Sequence, residues 1–296
     1  MNTPRATPAP ASRPAPRLNG STWAGCGALV LWAALGLLSR LAAGLPPLQL
    51  TAMAFAVGGG LSLLLVAARG RLGALRQPPL AWLHGVGGLF GYHALYFAAL
   101  ALAPPVEANL LNYLWPLLIV LLAAPVLGLP LGRQRLLGVA LGFAGCVVLV
   151  GAGASFPPGA VPGFLLALAA ALTWAGYSVT SRRFSQVPTE AVSGFCLGAA
   201  LLAGLAHAVF EVTILPDARQ GLAALLLGLG PVGAAFFLWD AGMKRGDPRL
   251  LGTLAYAVPV VSTLLLLLAG EGQPNWRVAA SALLVTLGGW IAARAR

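Results

Sequence analysis

The chain has 296 residues, of which 59% are hydrophobic and only 8% are charged, and its mean hydropathy is +0.86. This composition excludes a water-soluble globule of this size, because too little polar surface remains to cover one. The net charge of +11 comes from basic residues standing singly or in pairs between apolar runs. Nucleic-acid binding requires a basic stripe instead, so we expect the chain to be surrounded by a lipid bilayer and to bind no nucleic acid.

The first 20 residues form a separate segment, in which prolines alternate with Ala, Ser and Arg. Such a segment cannot bury enough apolar area to order itself, so we predict a disordered cytoplasmic tail over residues 1–20. The basic residues before the first apolar run also fit a cleavable signal peptide. That run is longer than the usual apolar core of a signal peptide, which favours a tail that is retained.

Ten apolar segments follow, and each is long enough for a transmembrane helix of about 20 residues. Together they predict an all-α integral membrane protein. In chain order they lie at residues 22–39, 47–68, 80–103, 106–127, 136–153, 161–181, 187–210, 221–243, 250–270 and 276–293.

The distribution of basic residues predicts the orientation of these segments. With the N-terminus inside, all but Arg40, Arg219 and Arg277 of the 18 Lys and Arg residues fall on the cytoplasmic side. Cytoplasmic loops of membrane proteins carry such an excess of Lys and Arg. We therefore predict a multi-pass protein of the bacterial inner membrane with both termini in the cytoplasm.

The second half of the chain repeats the first at a spacing of about 142 residues. The matched pairs are Trp32 with Trp174, Arg40 with Arg182, Gly88 with Gly230, Gly91 with Gly233 and, after one inserted residue, Pro105 with Pro248 and Pro116 with Pro259. We place the two repeats at residues 21–154 and 155–296. Because each holds five predicted spans, an odd number, the halves enter the membrane in opposite senses. Inverted repeats of this kind are a transporter architecture.

Two prolines fall near the middle of matching spans, Pro116 in the fourth and Pro259 in the ninth. Each removes a backbone hydrogen bond and favours a kink. The kinks predict hinges for gating, or alternatively fixed bends that only serve packing.

Two pairs of glycines have the spacing that lets helices approach closely in lipid, Gly87 with Gly91 and Gly138 with Gly142. We predict close helix contacts at both pairs, a structural role without functional meaning.

Polar and aromatic residues concentrate in the third and fourth spans, where each must find a partner or face a water-filled cavity. Such residues suit a substrate with an apolar or aromatic body and a polar head. The amides also fit a purely structural role, in which they bridge neighbouring helices. The candidate cavity residues are Tyr92, His93 and Tyr96 in the third span, and Asn109, Asn112, Tyr113 and Trp115 in the fourth.

Trp32 and Trp174 lie at mirror-related depths in the two repeats, and Tyr177 follows Trp174 by one helical turn. We include all three as candidate substrate contacts. Large rings in a helix bundle also occur as simple packing, which is the alternative for each.

Two ionisable residues are candidates for proton coupling. His93 lies deep in its span, where an ordinary pKa near 6.5 would let it titrate. Asp240 precedes Lys244 by four residues, which fits an ordinary ion pair as well as a coupling role.

Other chemistry is absent from the sequence. The three cysteines lie inside apolar runs without His or acidic residues at ligand spacing, so we expect neither a disulfide framework nor a metal site. No hydrolase, metalloprotease or nucleotide-binding motif occurs. We expect no cofactor and no enzymatic activity.

The segment Asn112-Tyr113-Leu114-Trp115-Pro116, preceded by Tyr92-His93 and Tyr96, resembles aromatic amino acid exporters of the drug/metabolite transporter superfamily, which carry paired EamA-type repeats. The wider likeness covers nearly the whole chain after residue 20. It implies export of aromatic and other neutral amino acids, and of aromatic cations such as methyl viologen, through a central cavity open alternately to each side. Carried over by position, it implies cavity roles for Tyr92, His93, Tyr96, Asn112, Tyr113 and Trp115.

The sequence thus predicts an alternating-access exporter of neutral, aromatic or large apolar amino acids, acting as a monomer. The alternative transporter is a drug or metabolite exporter of broader specificity that carries aromatic cations. From another class, an intramembrane enzyme or a sensor stays open, although the sequence has neither a catalytic constellation nor a soluble output domain.

Overall fold

The computed structural model describes residues 19–150, 157–270 and 276–295, and every regular element in these ranges is helical. This confirms the all-α prediction. Almost all of the predicted N-terminal tail lies outside the described residues. The α-helices are α1 (Gly20–Ala33), α2 (Leu35–Leu41), α3 (Pro47–Ala68), α4 (Pro79–Leu102), α5 (Pro105–Asn112), α6 (Trp115–Leu127), α7 (Arg133–Val150), α8 (Val161–Thr180), α9 (Val192–Phe210), α10 (Ala218–Leu229), α11 (Ala235–Arg245), α12 (Pro248–Leu254), α13 (Ala257–Leu268) and α14 (Trp276–Arg294).

Nine helical stretches within the described residues are long and apolar enough to cross a membrane. They correspond to nine of the ten predicted spans. The remaining span, predicted at residues 136–153, is helical as α7 and runs into a segment outside the described residues. The number of ten spans therefore stays a prediction.

Several stretches consist of two helices that meet at a break in the membrane. The α5–α6 pair breaks at Tyr113 and Leu114, and the α12–α13 pair breaks at Ala255 and Tyr256. In each case a proline follows within the first turn of the second helix, Pro116 in α6 and Pro259 in α13. Proline has no N–H to donate to the carbonyl four residues earlier, so the helical ladder is interrupted. At both predicted kinks the regular α-helix is thus interrupted for two residues, at matching positions of the sequence repeat.

The helices of the two halves interdigitate. The most extensive pairings are α1 with α11, α3 with α9, α4 with α8 and α7 with α14. Each joins a helix before residue 151 to a helix after residue 156. The central space of the bundle is therefore bounded by both halves.

Close packing at Gly138 and Gly142 confirms one of the two glycine predictions. A Cβ at Gly138 would lie 2.6 Å from the carbonyl oxygen of Gly288, so α7 and α14 touch through their backbones. The prediction for Gly87 and Gly91 is wrong. A Cβ at either would meet no atom nearer than 3.8 Å, because α4 turns Gly85 and Gly88 towards its neighbours instead.

An ionic cluster holds the membrane-surface ends of α7, α12 and α14 together. The Asp247 carboxylate accepts hydrogen bonds from the first N–H groups of α12 and lies 3.2 Å from a guanidinium nitrogen of Arg135. Arg135 also donates to the carbonyl of Ala295, at 3.2 Å. Burial raises the pKa of the Asp247 carboxyl, but hydrogen bonds from Arg249 and the charge of Arg135 outweigh it and leave that pKa below its usual value.

Candidate functional site

A cavity of about 270 Å³ lies in the centre of the bundle, at the level of the two helix breaks. Its walls come from both halves of the chain. It brings together nine of the ten residues predicted to contact a substrate, namely Trp32, Tyr92, His93, Tyr96, Asn109, Asn112, Tyr113, Trp115 and Trp174.

Four tryptophans close one end of this cavity. All pairs among them have ring centroids between 5.0 and 6.4 Å apart, mostly in edge-to-face geometry. Such aromatic pairs add stability beyond the area that they bury. We call this group the tryptophan cluster; its members are Trp32, Trp115, Trp174 and Trp239.

Two indole N–H groups of the cluster have defined acceptors. Trp32 Nε1 donates to the carbonyl of Pro231 at 2.8 Å, and Trp239 Nε1 donates to Ser178 Oγ at 3.0 Å. Because a buried N–H without a partner is costly, these bonds fix the orientation of both rings.

The acceptor for Trp32 lies in a π-helical turn, Gly230–Ala234, between α10 and α11. Such turns loosen the regular backbone ladder and are frequent at functional sites. Here the turn places Pro231 and Val232 on the cavity wall and is followed by Phe236, which lines the cavity as well. Sequence reasoning missed Phe236 and Trp239; the signal was the Gly-Pro-Val-Gly sequence in the middle of the eighth predicted span.

A polar wall lies on the α4 and α5 side of the cavity. The Tyr96 hydroxyl donates to Asn109 Oδ1, and Asn112 Nδ2 donates to the Tyr92 hydroxyl at 3.1 Å. The two tyrosine rings are stacked, with centroids 6.0 Å apart. The amides therefore bridge helices, as the alternative interpretation expected, and line the cavity as well.

Asn112 ends α5, directly before the break. Its side chain is buried, and its Oδ1 accepts no hydrogen bond from the described residues. An acceptor left unpaired in an apolar surrounding is unfavourable. Movement at the break or a bound polar group would give it a partner.

His93 is oriented by its own helix. Its Nδ1–H donates to the Leu89 carbonyl at 2.7 Å, and the ring packs edge-on against Phe55 with centroids 5.1 Å apart. This bond assigns the proton to Nδ1. Nε2 then remains as an acceptor at the cavity.

Tyr177 and Asp240 do not line the cavity and lie on the far side of the tryptophan cluster. The Tyr177 ring packs between Trp174 and His84, with centroids 5.4 and 4.8 Å away. The Asp240 carboxylate is buried and lies 2.8 Å from Lys244 Nζ. The ion pair expected from their spacing is thus present, and a role of Asp240 in proton coupling stays a prediction.

The electrostatic character of the cavity is neutral. Among the described residues that line it there is no Asp, Glu, Lys or Arg, and rings, amides and hydroxyls make up its polar surface. Within the described ranges no group of His, Cys, Asp and Glu could hold a metal ion.

Apolar helices, broken at matching points around a central aromatic cavity, define a multi-pass membrane transporter of small molecules. The chain belongs to the EamA-like transporter family, whose pattern matches residues 19–151 and again residues 161–294.

Several named transporters are similar to this chain over most of its length. The chain is 50% identical over 278 residues to the aromatic amino acid exporter YddG of Ancylobacter novellus, covering 93% of this chain and 97% of the relative. It is 25% identical over 293 residues to the aromatic amino acid exporter YddG of Salmonella typhimurium, covering 93% and 98%. A probable amino-acid metabolite efflux pump of Salmonella typhimurium is 29% identical over 259 residues, covering 81% and 84%. A solved crystal structure at 49% identity superposes with a TM-score of 0.89 over 92% of this chain and 96% of the other.

Proposed function

We propose that this protein exports neutral amino acids with aromatic or large apolar side chains across the bacterial inner membrane by alternating access. The neutral, aromatic-lined central cavity carries this proposal. In the proposed arrangement ten transmembrane helices form two inverted repeats, residues 21–154 and 155–296, with both termini in the cytoplasm. The protein acts as a monomer and catalyses no covalent reaction.

The size of the cavity is compatible with a single amino acid. Sites for drug-sized ligands usually measure about 300–1,000 Å³, and this cavity measures about 270 Å³. A single amino acid with a ring fits such a space, with the ring against the tryptophans and the polar head against the α4 and α5 wall.

The absence of charged side chains among the described lining residues supports a substrate without net charge. An isolated charge taken out of water is costly unless an opposite charge pairs with it. A zwitterion brings both charges with it and needs only dipoles and ring faces around them. Glutamate and lysine would each carry one uncompensated charge into this site.

The two halves supply the parts of an alternating-access mechanism. The tryptophan cluster closes one end of the cavity. Beyond it, Lys244 Nζ is paired with Asp240 of the same helix, α11, and donates to the Val187 carbonyl in the connection between α8 and α9, at 2.9 Å. Opening of this end is proposed to come from motion at the breaks before Pro116 and Pro259. Matching breaks in inverted repeats allow the two halves to exchange conformations.

Uptake into liposomes tests the proposal. Purified protein is reconstituted, and entry of labelled Phe, Trp, Met and Thr is compared with entry of labelled Glu and Lys, with and without a pH gradient. Saturable entry of the neutral amino acids, competed away by unlabelled Phe, supports the proposal, and its response to the gradient reports proton coupling, for which His93 and Asp240 are the candidates. Folded protein that transports none of the neutral amino acids contradicts it.

A second candidate function is the export of aromatic cations, which the ring faces of the cavity favour. A cation over the face of Trp or Tyr is attracted by the ring quadrupole, and three tryptophans and the two stacked tyrosines line the cavity. Saturable uptake of methyl viologen into liposomes containing the protein, without uptake of Phe, would favour this function over amino acid export.

A further inference from the structure

A second cavity, of about 580 Å³, opens on the outer surface of the helix bundle between α1 and α14, with α12 and α13 at its base. Its rim carries the exposed side chains Trp23, Val30 and Trp290, and its floor includes the buried Leu29 and Val285. We call it the α1–α14 groove. Its lining is almost entirely apolar, so it offers few hydrogen-bond partners to water or a polar solute.

The groove is separate from the central cavity. Among the described lining residues the two share Val258, whose side chain stands in the wall between them. The asparagine amides and tyrosine hydroxyls of the central site do not line the groove. A ligand of the groove would therefore be apolar, unlike the substrate proposed for the central cavity.

The length of the groove matches one leaflet of a bilayer. Along α1 it extends from Trp23 to Ala33, ten residues that rise about 15 Å. This is half of the roughly 30 Å of hydrocarbon in a membrane. A single extended acyl chain would therefore run along the groove from the membrane surface to the midplane.

The surface end of the groove is basic. The Arg294 guanidinium lies 4.0 Å from the centroid of the Trp290 ring, a residue of the rim. The side chain of Arg245 is exposed at the same end, where its carbonyl accepts a hydrogen bond from Asn19, the residue before α1. Cations at headgroup depth attract anionic lipids, and an indole at that depth is a common membrane anchor.

We propose that the α1–α14 groove binds one acyl chain of an anionic phospholipid whose headgroup pairs with Arg294. The groove supplies an apolar trough of one-leaflet length, and the arginine supplies the complementary charge at its mouth. In the proposed topology this lipid belongs to the cytoplasmic leaflet.

Native mass spectrometry of the purified protein tests the proposal, with phosphatidylglycerol and phosphatidylcholine of identical acyl chains as probes. Thr286→Trp fills the groove from an exposed position on α14, and Arg294→Gln removes the charge. Leu165→Trp is the matched control on another exposed helix face, and Arg69→Gln is the control for charge. Thermal unfolding confirms that each variant is folded.

The expected result is one retained phosphatidylglycerol molecule that Thr286→Trp removes and Leu165→Trp leaves in place. Arg294→Gln should lower the preference for phosphatidylglycerol over phosphatidylcholine by about fivefold, and Arg69→Gln should not change it. Equal lipid retention by Thr286→Trp and the unchanged protein would overturn the proposal. So would a dimer of the unchanged protein that Thr286→Trp converts to a monomer, because the groove would then bind a second protein chain and not a lipid.

Discussion

Trp32 in α1 donates its indole N–H to the carbonyl of Pro231, 199 residues further along the chain and 2.8 Å away. The bond joins the first half of the protein to the π-helical turn of the second. It fixes one ring of the tryptophan cluster against the cavity, so the shape of the cavity depends on a contact between the halves.

Loss of this bond should weaken both stability and transport. Trp32→Phe keeps an aromatic ring but leaves the Pro231 carbonyl without its partner, which costs about 1–3 kcal/mol. We expect a lower unfolding temperature and slower uptake of Phe. Trp276→Phe, on an exposed ring at the start of α14, is the control and should leave both unchanged; equal behaviour of the two variants contradicts the role given to Trp32.

The polar wall should contribute to substrate affinity through Asn112. In Asn112→Leu the side chain keeps a similar size but loses its bond to the Tyr92 hydroxyl and its unpaired oxygen. We expect the KM for Phe to rise about tenfold, the loss of one good hydrogen bond. Tyr92→Phe is the companion variant, because it removes the bond between the helices together with the Tyr92 hydroxyl but leaves Asn112 and its unpaired oxygen in place. A KM unchanged in Asn112→Leu would leave the wall with a structural role alone.

The Asp240–Lys244 pair offers a test of structural against coupling roles. Asp240→Asn leaves a buried ammonium group without its counter-ion, which typically destabilises by about 3–5 kcal/mol. The double variant with Lys244→Met should recover most of that loss. If the folded double variant transports Phe with the same response to a pH gradient as the unchanged protein, Asp240 has no part in coupling; a lost response assigns it that part.

The ionic cluster at Asp247 should make stability depend on acid pH. Because the pKa of this carboxyl is lowered in the folded protein, its contribution is present above the ordinary value of 3.8 and is lost as pH falls through the lowered pKa. The unfolding temperature should therefore drop more steeply below about pH 4 in the unchanged protein than in Asp247→Asn. Asp217→Asn, at the exposed cap of α10, serves as the control. Parallel profiles for the unchanged protein and Asp247→Asn would show that the cluster adds no acid sensitivity.

Much of this architecture could be predicted from the sequence because lipid imposes strong rules. Apolar runs of the required length marked the helices, and the spacing of Pro116 and Pro259 in the repeat marked the two breaks, where a missing N–H interrupts the ladder. The aromatic and amide residues of α4 and α5 were identified because buried polar groups in a membrane need partners.

Other features depended on side-chain orientation, which spacing alone does not give. Tyr177 shares a helix with Trp174, yet its ring turns to the far side of the tryptophan cluster and packs on His84. Phe236 reaches the cavity after a π-helical turn, and such a turn adds a residue that the regular helical period does not count. Gly88 rather than Gly87 faces the neighbouring helix because the rotation of α4 is set by packing between the halves.

Uptake of labelled Phe into liposomes by the unchanged protein, Trp115→Ala, Tyr96→Ala and the exposed control Trp276→Ala tests whether the central cavity binds the substrate. Truncation of a cavity ring removes a contact with the substrate's own ring, and such buried anchors commonly account for 2 kcal/mol or more, about thirtyfold. We predict that Trp115→Ala and Tyr96→Ala insert into the membrane normally and lose most of the uptake, while Trp276→Ala retains it. Full uptake by both cavity variants would contradict an aromatic-lined central site.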